Sequence, residues 1–165
     1  MEIIKGNVWK FGDNIDTDII IPARYLTLPL EEMKQKAMEP LRPDFAAGFA
    51  PGGVIVAGRN FGCGSSREQA PAVLKALGTA ALVAESFARI FFRNAVNLGL
   101  PLVECRDMAG HFAQGDVIEI DLARGRVWKA GVDVVFTGTI LPDFLLAIIK
   151  DGGLVEHLLK TGRNK

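Results

Sequence analysis

The architecture of this chain follows mainly from residues Gly53–Glu68, which read GVIVAGRNFGCGSSRE. The first six residues, Gly53–Gly58, form an unbroken apolar run, which is typical of a strand buried on both faces of a parallel sheet. A glycine-rich turn follows, and we predict that it opens a helix from about Arg67 to Leu77, which ends ahead of Gly78. The stretch therefore predicts a strand, a turn and a helix.

A second strand and helix follow the first pair. We predict a buried strand at Ala80–Ala84 and a helix at Ser86–Asn97, closed by Gly99 and Pro101. Strand, helix, strand and helix in this order indicate a parallel βαβ core in an α/β protein. The other expected strands are Val8–Phe11, Ile19–Ile21, Leu102–Glu104, Asp116–Ile120 and Val132–Phe136. The other expected helices are Leu30–Ala37, Asp143–Lys150 and Leu154–Leu159, and Ala123–Arg126 is expected to be a turn between two strands.

Length and composition exclude several functions. At 165 residues we expect one domain, residues 1–165, with a large core. Hydrophobic residues make up 49% of the chain, but no apolar run reaches the roughly 18 residues of a membrane span. The apolar excess is expected to meet a partner chain, and it also allows the isolated chain to associate with itself. Because 19 basic residues balance 19 acidic ones, the charge indicates neither nucleic acid nor a membrane as partner.

The N-terminal residues and the two cysteines give three further expectations. Met1–Lys5 has no signal-peptide features, which indicates the cytoplasm, where structural disulfides are rare. Cys63 and Cys105 are the only cysteines, and two thiols cannot ligate a four-cysteine cluster. No C-x-x-C or histidine pair offers metal spacing either. We therefore expect no metal or cofactor bound by this chain, and we expect Cys63 to be packing material.

The glycine-rich turn is the strongest candidate for a functional site. Gly62 and Gly64 are suited to positive φ or to close approach by a ligand, and the amides of a helix N-terminus favour an anion. The pattern is neither a dinucleotide fingerprint, a phosphate P-loop nor a serine-hydrolase elbow. One alternative remains open, because Ser65 followed by Glu68 or Gln69 is also a common helix cap.

Three ordered motifs carry a family resemblance. Asn60–Glu68, together with Asp16–Leu26 upstream and Ser86–Asn94 downstream, resembles the small subunit of 3-isopropylmalate dehydratase, in its compact form. The resemblance covers nearly the whole chain. It implies the detached swivel domain of the aconitase superfamily, with β/β/α layers built on the parallel βαβ core and an additional strand-rich half.

The resemblance assigns roles to four residues. Ser65 is implied as the catalytic base, which requires positive charge and aimed amides because a serine hydroxyl is otherwise a poor base. Ser66 and Arg67 are implied to bind a substrate carboxylate, with the guanidinium as a bidentate fork. Asp18 is implied as a catalytic carboxylate that pairs with a histidine of the large subunit.

A loop is implied to sort substrates by their distal group. Tyr25, Leu26, Thr27 and Leu28 occupy the matching positions, and the uncharged Thr27 and Leu28 favour an apolar substituent over a third carboxylate. The alternative is that Tyr25 and Leu26 only anchor the loop.

Three further positions are weaker candidates for the site. Ser86 and Arg89 are implied to support the site from behind, although Arg89 and Arg93, spaced i,i+4, also fit an ordinary solvated pair. Gln69 departs from the family pattern, where histidine usually follows Ser-Ser-Arg-Glu, so any role of that side chain is in question.

The implied reaction converts 2-isopropylmalate to 3-isopropylmalate by dehydration and rehydration, a step of leucine biosynthesis. The departing hydroxide needs a Lewis acid, implied to be a 4Fe-4S cluster on the large subunit. The same compact form serves homoaconitase and citramalate or 2,3-dimethylmalate hydro-lyases, so these substrates stay open. A non-catalytic assembly module of the same fold is the remaining alternative.

Overall fold

The computed structural model describes residues 2–162 and contains a mixed seven-stranded sheet in the order β4-β3-β2-β1-β5-β6-β7. The strands are β1 (Ile4–Lys10), β2 (Val54–Ala57), β3 (Ala81–Ala84), β4 (Leu102–Glu104), β5 (Val117–Asp121), β6 (Arg126–Lys129) and β7 (Val135–Thr137). The helices are α1 (Thr17–Ile20), α2 (Leu30–Met33), α3 (Phe45–Gly48), α4 (Gln69–Ala76), α5 (Arg89–Asn97), α6 (Asp143–Lys150) and α7 (Leu154–Gly162).

One half of the sheet is parallel and forms the core. β1, β2, β3 and β4 pair in parallel, with Ile55 of β2 opposite Trp9 on one side and Leu82 on the other. Every residue of β2 and β3 is buried, because the two strands are covered on both faces, as the unbroken apolar runs predict. The predicted α/β class and the parallel βαβ core are therefore confirmed.

The other half of the sheet is antiparallel. β5 pairs with β1, β6 with β5 and β7 with β6. Beyond β7 the chain returns to the opposite end of the sheet, where the amide of Thr139 donates a 2.8 Å hydrogen bond to the carbonyl of Glu104. The predicted strand-rich half is confirmed, and its last segment is tied to the parallel half.

The predicted strand at Ile19–Ile21 is wrong. Thr17–Ile20 is a single helical turn, capped by Asp16, whose Oδ1 accepts a 2.8 Å hydrogen bond from the amide of Ile19. Ile20 and Ile21 are fully buried even so. An aspartate that satisfies a free amide at a helix start outweighs the β-preference of three isoleucines.

Other predicted boundaries also need correction. α4 begins at Gln69 rather than Arg67, and α5 begins at Arg89 rather than Ser86. Arg126–Lys129, partly placed in a turn, is strand β6, and strand β7 starts only at Val135. Only Val127 is buried in β6, so its sequence carries little apolar signal.

No helix within residues 2–162 is long and apolar enough to cross a membrane. That residues 1–165 form one domain stays a prediction.

Candidate functional site

The glycine-rich turn between β2 and α4 is fixed by backbone hydrogen bonds to its neighbours. The amide of Gly62 donates to the carbonyl of Ile15 at 2.7 Å, and the amide of Thr17 donates to the carbonyl of Cys63 at 2.9 Å. Gly62 has φ of +80°, and a Cβ there would lie 2.2 Å from Cγ of Phe91. Glycine is therefore required at this position both by the backbone conformation and by the close approach of the ring.

The two serines of the turn are exposed and do not cap the helix. Glu68 precedes the first turn of α4, and no side chain caps that end of the helix. Within the described residues, the hydroxyls of Ser65 and Ser66 make no hydrogen bond, and the backbone amides of residues 64–68 have no acceptor. The alternative that Ser65 caps α4 is therefore wrong. The serine hydroxyls and a run of amides are free to meet a ligand.

Arg67 is held by two acceptors from the α1 region. Its Nη1 donates to Oδ1 of Asp18 at 2.5 Å and to the carbonyl oxygen of Ile21 at 3.2 Å. The Arg67 side chain is 17% exposed, whereas that of Asp18 is 66% exposed. The structure therefore brings Asp18 and Arg67 together, a pair that was not predicted from the sequence.

The turn is braced from the side of α5. The hydroxyl of Ser86 accepts a 2.8 Å hydrogen bond from the amide of Asn60, and the carbonyl of Ser86 accepts from Phe61 at 3.0 Å. Nδ2 of Asn94 donates to the carbonyl of Ser66 at 3.3 Å. The supporting role implied for Ser86 remains a prediction, but its hydrogen bonds to the backbone of the turn agree with that role. Asn94 was missed, although it ends the motif Ser86–Asn94.

The loop implied to sort substrates divides into anchors and a tip. The hydroxyl of Tyr25 donates to Oε1 of Glu39 at 2.8 Å, and this bond is the largest cause of the lowered pKa of Glu39. Leu26 and Leu28 are half-buried against the core, and Thr27 is exposed. Only Thr27 of these four side chains is free of such packing, so it is the best placed to meet a ligand.

Arg89 lies elsewhere. Together with Arg93 it lines a cavity of about 430 Å³ whose walls include Phe87, Phe92 and Leu145. Within residues 2–162, neither arginine has a hydrogen-bonded or ion-pair partner. Among the described residues, no hydrogen bond or ion pair joins Arg89 to the turn, so its supporting role remains an untested prediction.

The cysteines do not form a ligand set for a cluster. Burial raises the pKa of both thiols, with nearby carboxylates adding to the effect. Cys105 is 1% exposed, and the described part of the chain contains no group of three or more His, Cys, Asp or Glu side chains arranged to hold a metal. These residues do not fit a 4Fe-4S cluster.

Gln69 starts α4 and is half-buried.

Comparison with known proteins defines the class and then the family. The fold and the Ser-Ser-Arg turn define a swivel domain, and residues 50–106 match the model of the aconitase C-terminal domain. The crystal structure of a 3-isopropylmalate dehydratase from Methanocaldococcus jannaschii superimposes with a TM-score of 0.91 at 40% identity, covering 98% of this chain and 96% of the other.

Curated relatives match this chain over nearly their full lengths. The chain is 52% identical to the methanogen homoaconitase small subunit of Methanothermobacter thermautotrophicus, with 96% of this chain and 92% of the relative covered. It is 49% identical to the 3-isopropylmalate dehydratase small subunit of Halothermothrix orenii, with 94% of each covered. It is 51% identical to the isopropylmalate/citramalate isomerase small subunit of M. jannaschii, with 96% and 95% covered. The chain belongs to the family of 3-isopropylmalate dehydratase small subunits of the aconitase superfamily. The resemblance inferred from the three motifs is confirmed.

Proposed function

We propose that this chain is the small subunit of a two-subunit hydro-lyase that isomerises 2-isopropylmalate to 3-isopropylmalate. The observation that carries the proposal is the exposed turn Ser65–Arg67, whose serine hydroxyls and backbone amides are free while Arg67 is held in place beside them. Family membership supplies the reaction class, and the turn supplies groups that suit a hydroxy-carboxylic acid.

Each residue of the turn has a separate task in this proposal. Arg67 and Ser66 bind a substrate carboxylate by charge-assisted hydrogen bonds. Ser65 takes the proton from the carbon next to the hydroxyl-bearing carbon, and a carbon–carbon double bond forms as the hydroxyl leaves. Water then adds across that bond in the opposite sense. The free amides and the guanidinium stabilise the negative charge that Ser65 needs as a base.

The rest of the active site belongs to a large subunit in this proposal. The relatives are named small subunits, which implies a larger partner chain. Since the cysteines here do not fit a 4Fe-4S cluster, we place the cluster, as the Lewis acid for the departing hydroxyl, on that partner. The exposed carboxylate of Asp18 is available to a histidine of the partner. We also propose a cytoplasmic location, where two free thiols stay reduced.

Isopropylmalate is preferred as substrate because the free side chain of the sorting loop, Thr27, carries no charge. A substrate with a third carboxylate would favour a cation at that position. Homocitrate or citramalate remains the second candidate, since relatives of about equal identity are named for homoaconitase and for isopropylmalate/citramalate isomerase.

The test is reconstitution with the large subunit encoded in the same genome. The complex, with its cluster assembled anaerobically, is assayed on 2-isopropylmalate, homocitrate and citramalate at equal concentrations. We expect the highest kcat/KM for 2-isopropylmalate and no turnover by either chain alone. Turnover by this chain alone would contradict the proposal that the large subunit supplies part of the active site. A stable complex that is inactive on all three acids would favour a non-catalytic assembly module.

A further inference from the structure

We infer that Asp18 is a positioning residue for Arg67: it selects which edge of the guanidinium is presented to the substrate carboxylate. The inference rests on the proposed function, because it concerns how that site holds its substrate. It assigns Asp18 a task inside this chain, in addition to any contact with a partner.

The hydrogen bonds of Arg67 identify the edge. Nη1 carries two hydrogens, and it has two acceptors, Oδ1 of Asp18 and the carbonyl of Ile21. Nη1 is therefore fully used. The three remaining N–H groups lie on Nη2 and Nε, and one hydrogen from each forms a parallel pair that matches the two oxygens of a carboxylate. The substrate is bound side-on, by the Nε–Nη2 edge.

The local fold explains why this pairing is well defined. Asp18 lies one residue after Thr17, whose amide bonds to the carbonyl of Cys63, and Arg67 lies four residues after Cys63. Asp16 caps α1 and so fixes the direction from which Asp18 approaches. The amide of Gly62 also bonds to the carbonyl of Ile15, so two backbone hydrogen bonds join the two segments that carry the ion pair.

Asp18 has two opposing effects on the substrate. Its negative charge weakens the attraction of Arg67 for an anion, while its hydrogen bond orients the guanidinium. If orientation is its main contribution, loss of the carboxylate lowers kcat and leaves KM unchanged or smaller. A side chain that bound substrate directly would raise KM instead.

The first test is a double-mutant cycle in the reconstituted complex. Asp18→Ala is expected to lower kcat by roughly 10- to 100-fold, a range set by the sensitivity of rate to small misplacements. Asp18→Asn keeps an acceptor oxygen and should recover part of that loss. In an Arg67→Ala background, Asp18→Ala should cause no further loss, because its target is gone. Independent, multiplicative effects would overturn the inference and assign Asp18 to a contact outside this chain.

Asp44→Asn is the matched control. The Asp44 side chain is 64% exposed and accepts a 2.9 Å hydrogen bond from Nη2 of Arg42, so it resembles Asp18 in exposure and in having an arginine partner. We expect unchanged kcat and KM for this variant. A loss comparable to that of Asp18→Asn would mean that any broken surface ion pair slows the complex, and the inference would fall.

A second readout does not depend on activity. In the isolated full chain, nitrogen-15 NMR of Arg67 should show two separate Nη resonances, because the bonds to Nη1 slow rotation of the guanidinium. Asp18→Ala should merge them, while the signals of Arg42 stay as they are. Merged Arg67 signals in the wild type would overturn the inference. Separate signals in a chain whose complex is inactive on all three acids would support the pairing of Asp18 with Arg67 and refute the proposed function.

Discussion

The hydroxyl of Tyr25 donates a hydrogen bond to Oε1 of Glu39, 14 residues further along the chain. Arg24 lies over the Tyr25 ring, with Cζ 4.6 Å from the ring centroid, and Nη2 of Arg24 lies 3.4 Å from the same Glu39 oxygen. The ring is therefore fixed at its edge and on its face. This arrangement favours the anchor interpretation for Tyr25, so the proposed sorting of substrates by the loop would depend on Thr27.

Replacing Thr27 by arginine should shift substrate preference. Because Thr27 is exposed, a longer side chain there costs little stability, and its charge should attract a distal carboxylate while it disfavours an isopropyl group. We expect kcat/KM to fall roughly tenfold for 2-isopropylmalate and to rise for homocitrate, within the 1–3 kcal/mol that such contacts typically discriminate. Steady-state kinetics of the reconstituted complex on both acids measure the ratio.

Thr161→Arg, on the exposed face of α7, is the control for added charge. It should leave the ratio of the two kcat/KM values unchanged. An unchanged ratio for Thr27→Arg as well would place the sorting contact elsewhere.

Ser65 and Arg67 should separate in kinetics. Ser65→Ala removes only the proposed proton acceptor, so kcat should fall about 10²- to 10⁴-fold with little change in KM. Arg67→Lys keeps the charge but loses the fork and its Nη1 bonds, so KM should rise and kcat should fall. Circular dichroism should show both variants folded. Wild-type turnover by Ser65→Ala would refute the assignment of this serine as the base.

The glycines of the turn should differ in their tolerance of a side chain. Gly62→Ala places a methyl group against the Phe91 ring at positive φ, and we expect it to lower the free energy of unfolding by at least about 2 kcal/mol. Gly64→Ala also has positive φ, but its nearest neighbour would be Oγ1 of Thr17 at 3.5 Å, so about 1 kcal/mol is expected. Urea denaturation measures both. Equal losses would show that Phe91 moves aside.

Acid should loosen the contact between α6 and α7. Hydrogen bonds from Lys160 and then from His157 lower the pKa of Asp151 below its ordinary value of 3.8. A carboxyl group with a lowered pKa in the folded state stabilises that state above its unfolded pKa, and the contribution is lost as pH falls through the folded value.

We therefore expect the thermal midpoint to decline below about pH 4, and to decline less in Asp151→Asn, which already lacks the charge. Glu2→Gln, at the exposed start of the chain, serves as the control for net charge. A pH profile for Asp151→Asn that parallels the wild type would assign the acid sensitivity to other carboxylates.

The parallel core and the turn could be predicted because their signals are local. Four consecutive buried residues in β2 leave no polar face to assign, and the motif around Ser65 is continuous in the sequence. The single helical turn at Thr17–Ile20 was misassigned because the acceptor of its decisive hydrogen bond is Asp16, and aspartate there fits a turn equally well. β6 was partly missed because only one of its residues is buried.

The ion pair between Asp18 and Arg67 could not be predicted from local pattern. The two residues are 49 positions apart, and their contact depends on how α1 lies against the turn. Asn94 was overlooked for a similar reason. Its side chain donates to the backbone carbonyl of Ser66, whereas the motif draws attention to the Ser66 hydroxyl.

The first strand of the chain lies at the centre of the finished sheet. Val8 of β1 is opposite Val54 of β2. Asn7 of the same strand pairs with Val117 of β5, which is more than a hundred residues later in the chain. During synthesis the parallel half can assemble while the antiparallel edge of β1 is still unpaired. Closing so long a loop is slow, and an open strand edge invites pairing with other chains. Ribosomal products that stop before β5 should therefore aggregate, and the enzyme's yield in the cell depends on how quickly its C-terminal third arrives.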